Sequence, residues 1–231
     1  MSFNLCLLGQ ILSKTTPRLI TQEARYSLSV NDMILPLDFR DIRFALAKNG
    51  YELLPVRNMP PPPTQISYSG EIARFKETVV FANSEAGEIG VISRSVSDAF
   101  SSFGDLLRVL ASDIGVNLRE KVKYYEAVLH CRVETGKKPA EEIAKAENKE
   151  FVNKFSEILG ENLSYLSVRL GKKDSSAKQR DWLDIAIDPD PIYDGMYHIG
   201  VIFRNPDQEK IETFVKSLEN NLLKLVQLIE A

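Results

Sequence analysis

The hexapeptide Ile89-Gly90-Val91-Ile92-Ser93-Arg94 returns 110 residues later as Ile199-Gly200-Val201-Ile202-Phe203-Arg204, with five of the six positions identical. The same offset aligns structural punctuation elsewhere. Asp38 falls on Asn148 and Ser95 on Asn205, all residues suited to capping a helix N-terminus, and Gly50 falls on Gly160, both suited to ending a helix. A chain whose element boundaries recur at one spacing is expected to contain one unit twice. The expected plan is strand, helix, antiparallel strands and long helix, repeated once, with halves at residues 1–118 and 119–231 packed as one unit. Helices that follow runs of strands with hairpin-length connections point to the α+β class, with the helices on one face of an antiparallel sheet. The other face is then open to solvent, a ligand or a partner.

Individual elements follow from local signals. The apolar stretch at 3–8 has no basic segment before it and no small-residue cleavage site after it, so it reads as a strand and not as a signal peptide. A helix is expected over 38–49, with Leu37 and Ile42 placed as a hydrophobic staple and Gly50 as the stop. The prolines 60–63 form a stiff connector. Strands are expected at 65–75, 78–82 and 88–94, then a helix carrying Ala99, Phe103, Leu106 and Leu110 that begins at Ser95 or Ser102.

In the second half the pattern gives a long strand at 122–133 and a Glu/Lys-rich helical stretch at 139–159 ended by Gly160. Strands at 163–170, 182–188 and 196–204 follow. Asn205, Pro206 and Gln208 have the spacing of a capping box for the final helix. In that helix Ile211, Val215, Leu218, Leu222, Leu225 and Ile229 keep coiled-coil spacing, but Phe214, Leu223, Val226 and Leu228 widen the stripe to that of a helix lying on a sheet.

The helix opening Phe100-Ser101-Ser102-Phe103-Gly104-Asp105-Leu106-Leu107 resembles that of a sporadically distributed family of uncharacterised prokaryotic proteins. The resemblance extends to the order of elements and brings no catalytic motif. The duplicated layout is also similar to the TATA-binding-protein-like saddle, but architecture does not fix function, and no DNA-reading residue transfers.

Chemistry is constrained mainly by exclusion. A net charge of −3 gives no general attraction to phosphate, so nucleic acid is not supported as a partner. No apolar run is long enough to span a membrane. The two cysteines, Cys6 and Cys131, lack disulfide or CxxC spacing, which fits a reducing, cytoplasmic location. Phosphate loops, dinucleotide-binding glycines, nucleophile elbows and zinc-protease helices are missing, and no cofactor is expected. The only histidines are His130 and His198, and His130 and Cys131 are neighbours on a strand that must point to opposite faces, so no metal is expected. Three carboxylates at 188–195 lie among Pro and Gly as a tight connection requires, and the basic segment 171–180 reads as a hairpin tip.

Strand alternation nevertheless collects distinctive groups on the open face. In 122–133 the helix-facing set is Tyr125, Ala127, Leu129, Cys131 and Val133, which leaves Tyr124, Glu126, Val128, His130 and Arg132 outside. By the same rule His198, Gly200 and Arg204 leave the core in 196–204, as do Trp182, Asp184 and Asp188 in 182–188 and Tyr165 and Arg169 in 163–170, whose Leu166, Val168 and Leu170 turn inward. The candidate ligand- or partner-binding residues are thus Glu126, His130, Arg132, Trp182, Asp184, His198 and Arg204. Aromatic and Arg anchors suit recognition, and His suits proton transfer. The leading expectation is a non-enzymatic binding or assembly protein that uses this face, with a protein partner or self-association. The alternatives are an enzyme without a familiar signature, a hydrolase or nucleic-acid-processing protein using His, Asp and Arg there, or an oligomeric structural component.

Overall fold

The computed structural model describes residues 16–30, 39–55, 68–84, 86–115, 121–146, 148–175 and 178–231. Its strands all join one nine-stranded antiparallel sheet, so the chain is α+β. In chain order the elements are β1 (Arg18–Val30), α1 (Phe39–Lys48), β2 (Glu52–Leu53), β3 (Ser69–Phe75), β4 (Thr78–Asn83), β5 (Glu88–Ser93), α2 (Val96–Ile114), β6 (Val122–Glu134), α3 (Pro139–Lys145), α4 (Lys149–Leu159), β7 (Val168–Gly171), β8 (Trp182–Pro189), β9 (Met196–Asn205) and α5 (Gln208–Ile229). Across the sheet the order is β2-β3-β4-β5-β1-β6-β9-β8-β7. The long strands β1 and β6 pair at the centre, which makes the sheet continuous from the first half to the second.

The first half contains a strand that the sequence reading does not mark. The stretch 3–8, the residues Leu37 and Asp38 and the prolines 60–63 lie outside the described residues, and the central strand of the first half is β1. Its helix-facing residues Ala24, Tyr26, Leu28 and Val30 are buried. The pattern is hard to read because Ser27 and Ser29, on the other face, are buried as well, and because a register shift between Thr21 and Glu23 puts the two ends of the strand out of phase.

One face of the sheet carries the core. α2 packs on β1 and β5, α5 packs on β6, β9 and β1, and α1 packs on α2 and the β2–β3 edge. Phe103, Leu106 and Leu110 of α2, and Ile211, Leu218, Leu222 and Val226 of α5, bury the stripe expected of helices on a sheet; burial of each large aliphatic or aromatic side chain contributes about 1.5–3 kcal/mol. The Tyr26 ring meets Phe103 edge-on at 4.6 Å. Ser95, the earlier of the two expected starts, caps α2 by accepting from the Asp98 N–H.

Three boundaries differ from expectation. The stretch 139–159 is two helices, because Asn148 turns out of the helix and its side chain accepts from the Phe151 N–H, which starts α4 afresh. α5 is capped by Asp207, which accepts from the Glu209 N–H, since Asn205 is still paired with Tyr125 in β9 and cannot also begin a helix. β7 begins only at Val168: Leu166 and Leu170 are exposed, Val168 is half-buried, and Tyr165 packs against the core instead of standing on the open face.

Candidate functional site

Directly paired residues of an antiparallel sheet project to the same side. The ladders align Glu126 with Arg204 and Trp182, Val128 with Ile202 and Asp184, His130 with Gly200 and Ala186, and Arg132 with His198 and Asp188. All seven candidate residues therefore stand on the face away from the helices. Cys131 lies buried in the core on the opposite side from His130.

Within that face the side chains form four groups. Arg204 is ion-paired with the buried Glu126, and its guanidinium lies 4.9 Å from the Tyr124 ring centre and 5.2 Å from that of Trp182. Stacking on two rings holds the planar cation in one orientation. Beyond the Val128–Ile202 row, the imidazoles of His130 and His198 lie nearly parallel, 5.9 Å between centres. Gly200 lies under the His130 ring, where an added Cβ would stand in ordinary contact, 3.7 Å from His130 Cε1 and Nδ1.

Arg132 and Asp184 belong to separate clusters. Arg132 turns away to Asp190 and lies over the Tyr193 ring at 4.5 Å. Burial alone would push the Asp190 carboxyl up, but the Arg132 hydrogen bond and the backbone N–H groups of Ile192 and Tyr193, each 2.9 Å from Oδ1, hold it below the usual carboxylate range. The acidic segment 188–195 is thus a turn closed around Asp190. Asp184 accepts two bonds from the Arg169 fork, at 2.9 and 2.6 Å, and these lower its pKa. In the basic hairpin tip Lys172 pairs with Asp181.

The first half contributes groups that the sequence reading missed. Arg25 of β1 is ion-paired with Glu88 and lies 4.1 Å from the Phe81 ring centre, and Ser27 donates to the same carboxylate at 2.8 Å. Nothing singled these residues out, because β1 itself was not recognised. Beside them a 540 Å³ concavity, bordered by Glu23, Glu71, Arg74, Lys76, Val79 and Ile92, hollows the open face.

Among the described residues no three His, Cys, Asp or Glu side chains converge as a metal site requires, and no helix is long and apolar enough to cross a membrane. No protein-family model and no curated protein sequence matches this chain. The resemblance at the opening of α2 accordingly transfers no residue roles.

Proposed function

We propose that the open face is a recognition surface for a protein partner, and that the chain is a binding or assembly protein. The observation that carries this reading is the Tyr124–Arg204–Trp182 stack with Glu126 behind it and the His130–His198 pair beside it. Pre-ordered Arg and Trp side chains are the residue types that dominate protein interfaces, and ordering them before contact lowers the entropy cost of binding. Phosphate recognition is less favoured: Arg25, Arg132, Arg169 and Arg204 are each already held by a carboxylate, from Glu88, Asp190, Asp184 and Glu126. A cytoplasmic location agrees with the buried, free Cys131.

The face also has a pattern that supports descent from a duplicated unit. The matched segments fall on β5 and β9, the strands that flank the central pair, with Gly90 opposite Ser27 and Gly200 opposite His130. If Ser27 is equated with His130, the pair Tyr26–Ala127 maps onto Ala24–Leu129, which is also a pair, and Arg25–Val128 maps onto itself. A twofold relation about Arg25 and Val128 would produce this register.

The test is affinity capture from the native cell extract with wild-type protein and with Trp182→Ala and His130→Ala/His198→Ala variants, each checked for an unchanged melting temperature. Proteins retained by the wild type and lost from the variants support the reading. Identical retention by all three removes it. The second reading, a hydrolase, rests on the stacked histidines and on Asp188 paired directly with His198. Turnover in an esterase, phosphatase and nuclease panel that disappears in the double His variant would favour it.

A further inference from the structure

We propose that, on the reading of the open face as a protein-recognition surface, its 540 Å³ concavity receives an aromatic side chain of the partner, stacked on the Arg94 guanidinium. The two halves of the sheet have the same ladder register at this point. Ala24 pairs with Ser93, and Ala127 pairs with Phe203. One position further along, Glu126 pairs with Arg204, and Glu23 and Arg94 stand in the corresponding places. Glu126 is buried and Arg204 half-buried between the rings of Tyr124 and Trp182, whereas Glu23 and Arg94 are both exposed. Among the described residues Arg94 has no ion pair and no ring over it.

Neither ring has a counterpart in the first half. Tyr124 lies two residues before Glu126, but the register shift after Thr21 pairs Thr21 with Cys131, on the helix side of the sheet. Trp182 lies opposite Arg204, two residues before Asp184, which pairs with Ile202. In the first half Val79 pairs with Ile92, so the place of Trp182 falls to Glu77. Glu23, Glu77 and Arg94 all border the concavity, which therefore lies where the second half has its rings.

The chemistry of the occupant follows from the lining. Val79 and Ile92 are half-buried and give an apolar floor. The acids Glu23, Glu71 and Glu77 match the bases Arg74, Lys76 and Arg94 in number, so the lining favours neither an anion nor a cation. A Trp or Tyr side chain suits all of it, with an apolar body for the floor, a ring face for the guanidinium and an N–H or O–H for a rim carboxylate.

The probe is N-acetyltryptophanamide, titrated to about 10 mM against the full ¹⁵N-labelled chain and followed by amide NMR, since a single side chain is expected to bind in the millimolar range. Saturable shifts are expected at the amides of Glu23, Ile92 and Arg94, with N-acetylleucinamide giving none. Arg94→Gln is expected to weaken binding at least about threefold at an unchanged melting temperature. No saturable shift at the concavity overturns the proposal, as does equal binding of the leucine compound. Undiminished binding by Arg94→Gln overturns the stack on Arg94. The probe needs no partner from the cell, so its failure leaves capture through Trp182 unaffected, and failed capture beside a bound probe removes only the protein-recognition reading.

Discussion

Gly90 lies so close to Ser27 across the β5–β1 ladder that a Cβ on the glycine would sit 2.5 Å from Ser27 Cβ and 2.8 Å from Phe81 Cε1. Its counterpart Gly200 would place a Cβ in ordinary contact, 3.7 Å from His130. The two glycines occupy the same place in the matched hexapeptides for different physical reasons. Gly90→Ala is expected to destabilise by at least about 2 kcal/mol through overpacking, and Gly200→Ala by less than about 1 kcal/mol. Urea unfolding of the two variants measures the difference, and equal costs would refute this account of Gly90.

The Arg132–Asp190 pair makes stability depend on pH in a defined direction. The folded pKa of Asp190 lies below its unfolded value of about 3.9. Its stabilisation is therefore fully present above that value and is lost as pH falls through the folded pKa. Asp190→Asn is expected to cost about 1–3 kcal/mol at pH 7 and to converge with wild type in strong acid. Melting curves across that range provide the check, and a constant difference down to about pH 2 would contradict the assignment.

Leu222 is fully buried in the layer that α5 makes against the sheet. Leu222→Ala is expected to cost about 2–5 kcal/mol by leaving a cavity, as measured by denaturant unfolding. A cost below about 1 kcal/mol would mean that α5 packs less closely than described.

The Cys131 thiol is sealed in the core, and burial pushes its pKa up to about 12. Peptide-level mass spectrometry after alkylation at pH 8 is expected to find Cys131 unmodified in the folded protein and modified in urea. Rapid labelling of Cys131 under native conditions would contradict the burial.

The α+β class, the helix-facing stripes of α2 and α5, and the alternation of β6, β8 and β9 were legible because each rests on a local period with one apolar side. That alternation was enough to place Glu126, His130, Trp182, His198 and Arg204 on one face. The missed pieces share a cause: their determinants are not local. β1 hides its period behind a register shift and buried serines, and Ser27 lies between Gly90 and Glu126 in the ladder and donates to Glu88, partners that sequence alternation does not reveal. Arg132 and Asp184 were assigned to the face correctly, but their engagement by Asp190 and Arg169 depends on tertiary partners that alternation does not reveal. Leu166 and Leu170 were assigned inward by alternation alone, which cannot register that β7 is the terminal strand of the sheet.

Whether a protein occupies the open face is tested most directly by site-specific photo-crosslinking in living cells. A benzophenone side chain replaces Ile202, which lies between the His pair and the Arg204 stack, and in a control replaces the exposed Lys216 on α5. Occupation of the face by a protein partner yields a discrete, protease-sensitive adduct from position 202 that is absent from position 216 and is lost when Trp182→Ala is added. No adduct from position 202, or one that is sensitive to nuclease instead of protease, would contradict protein recognition by this face.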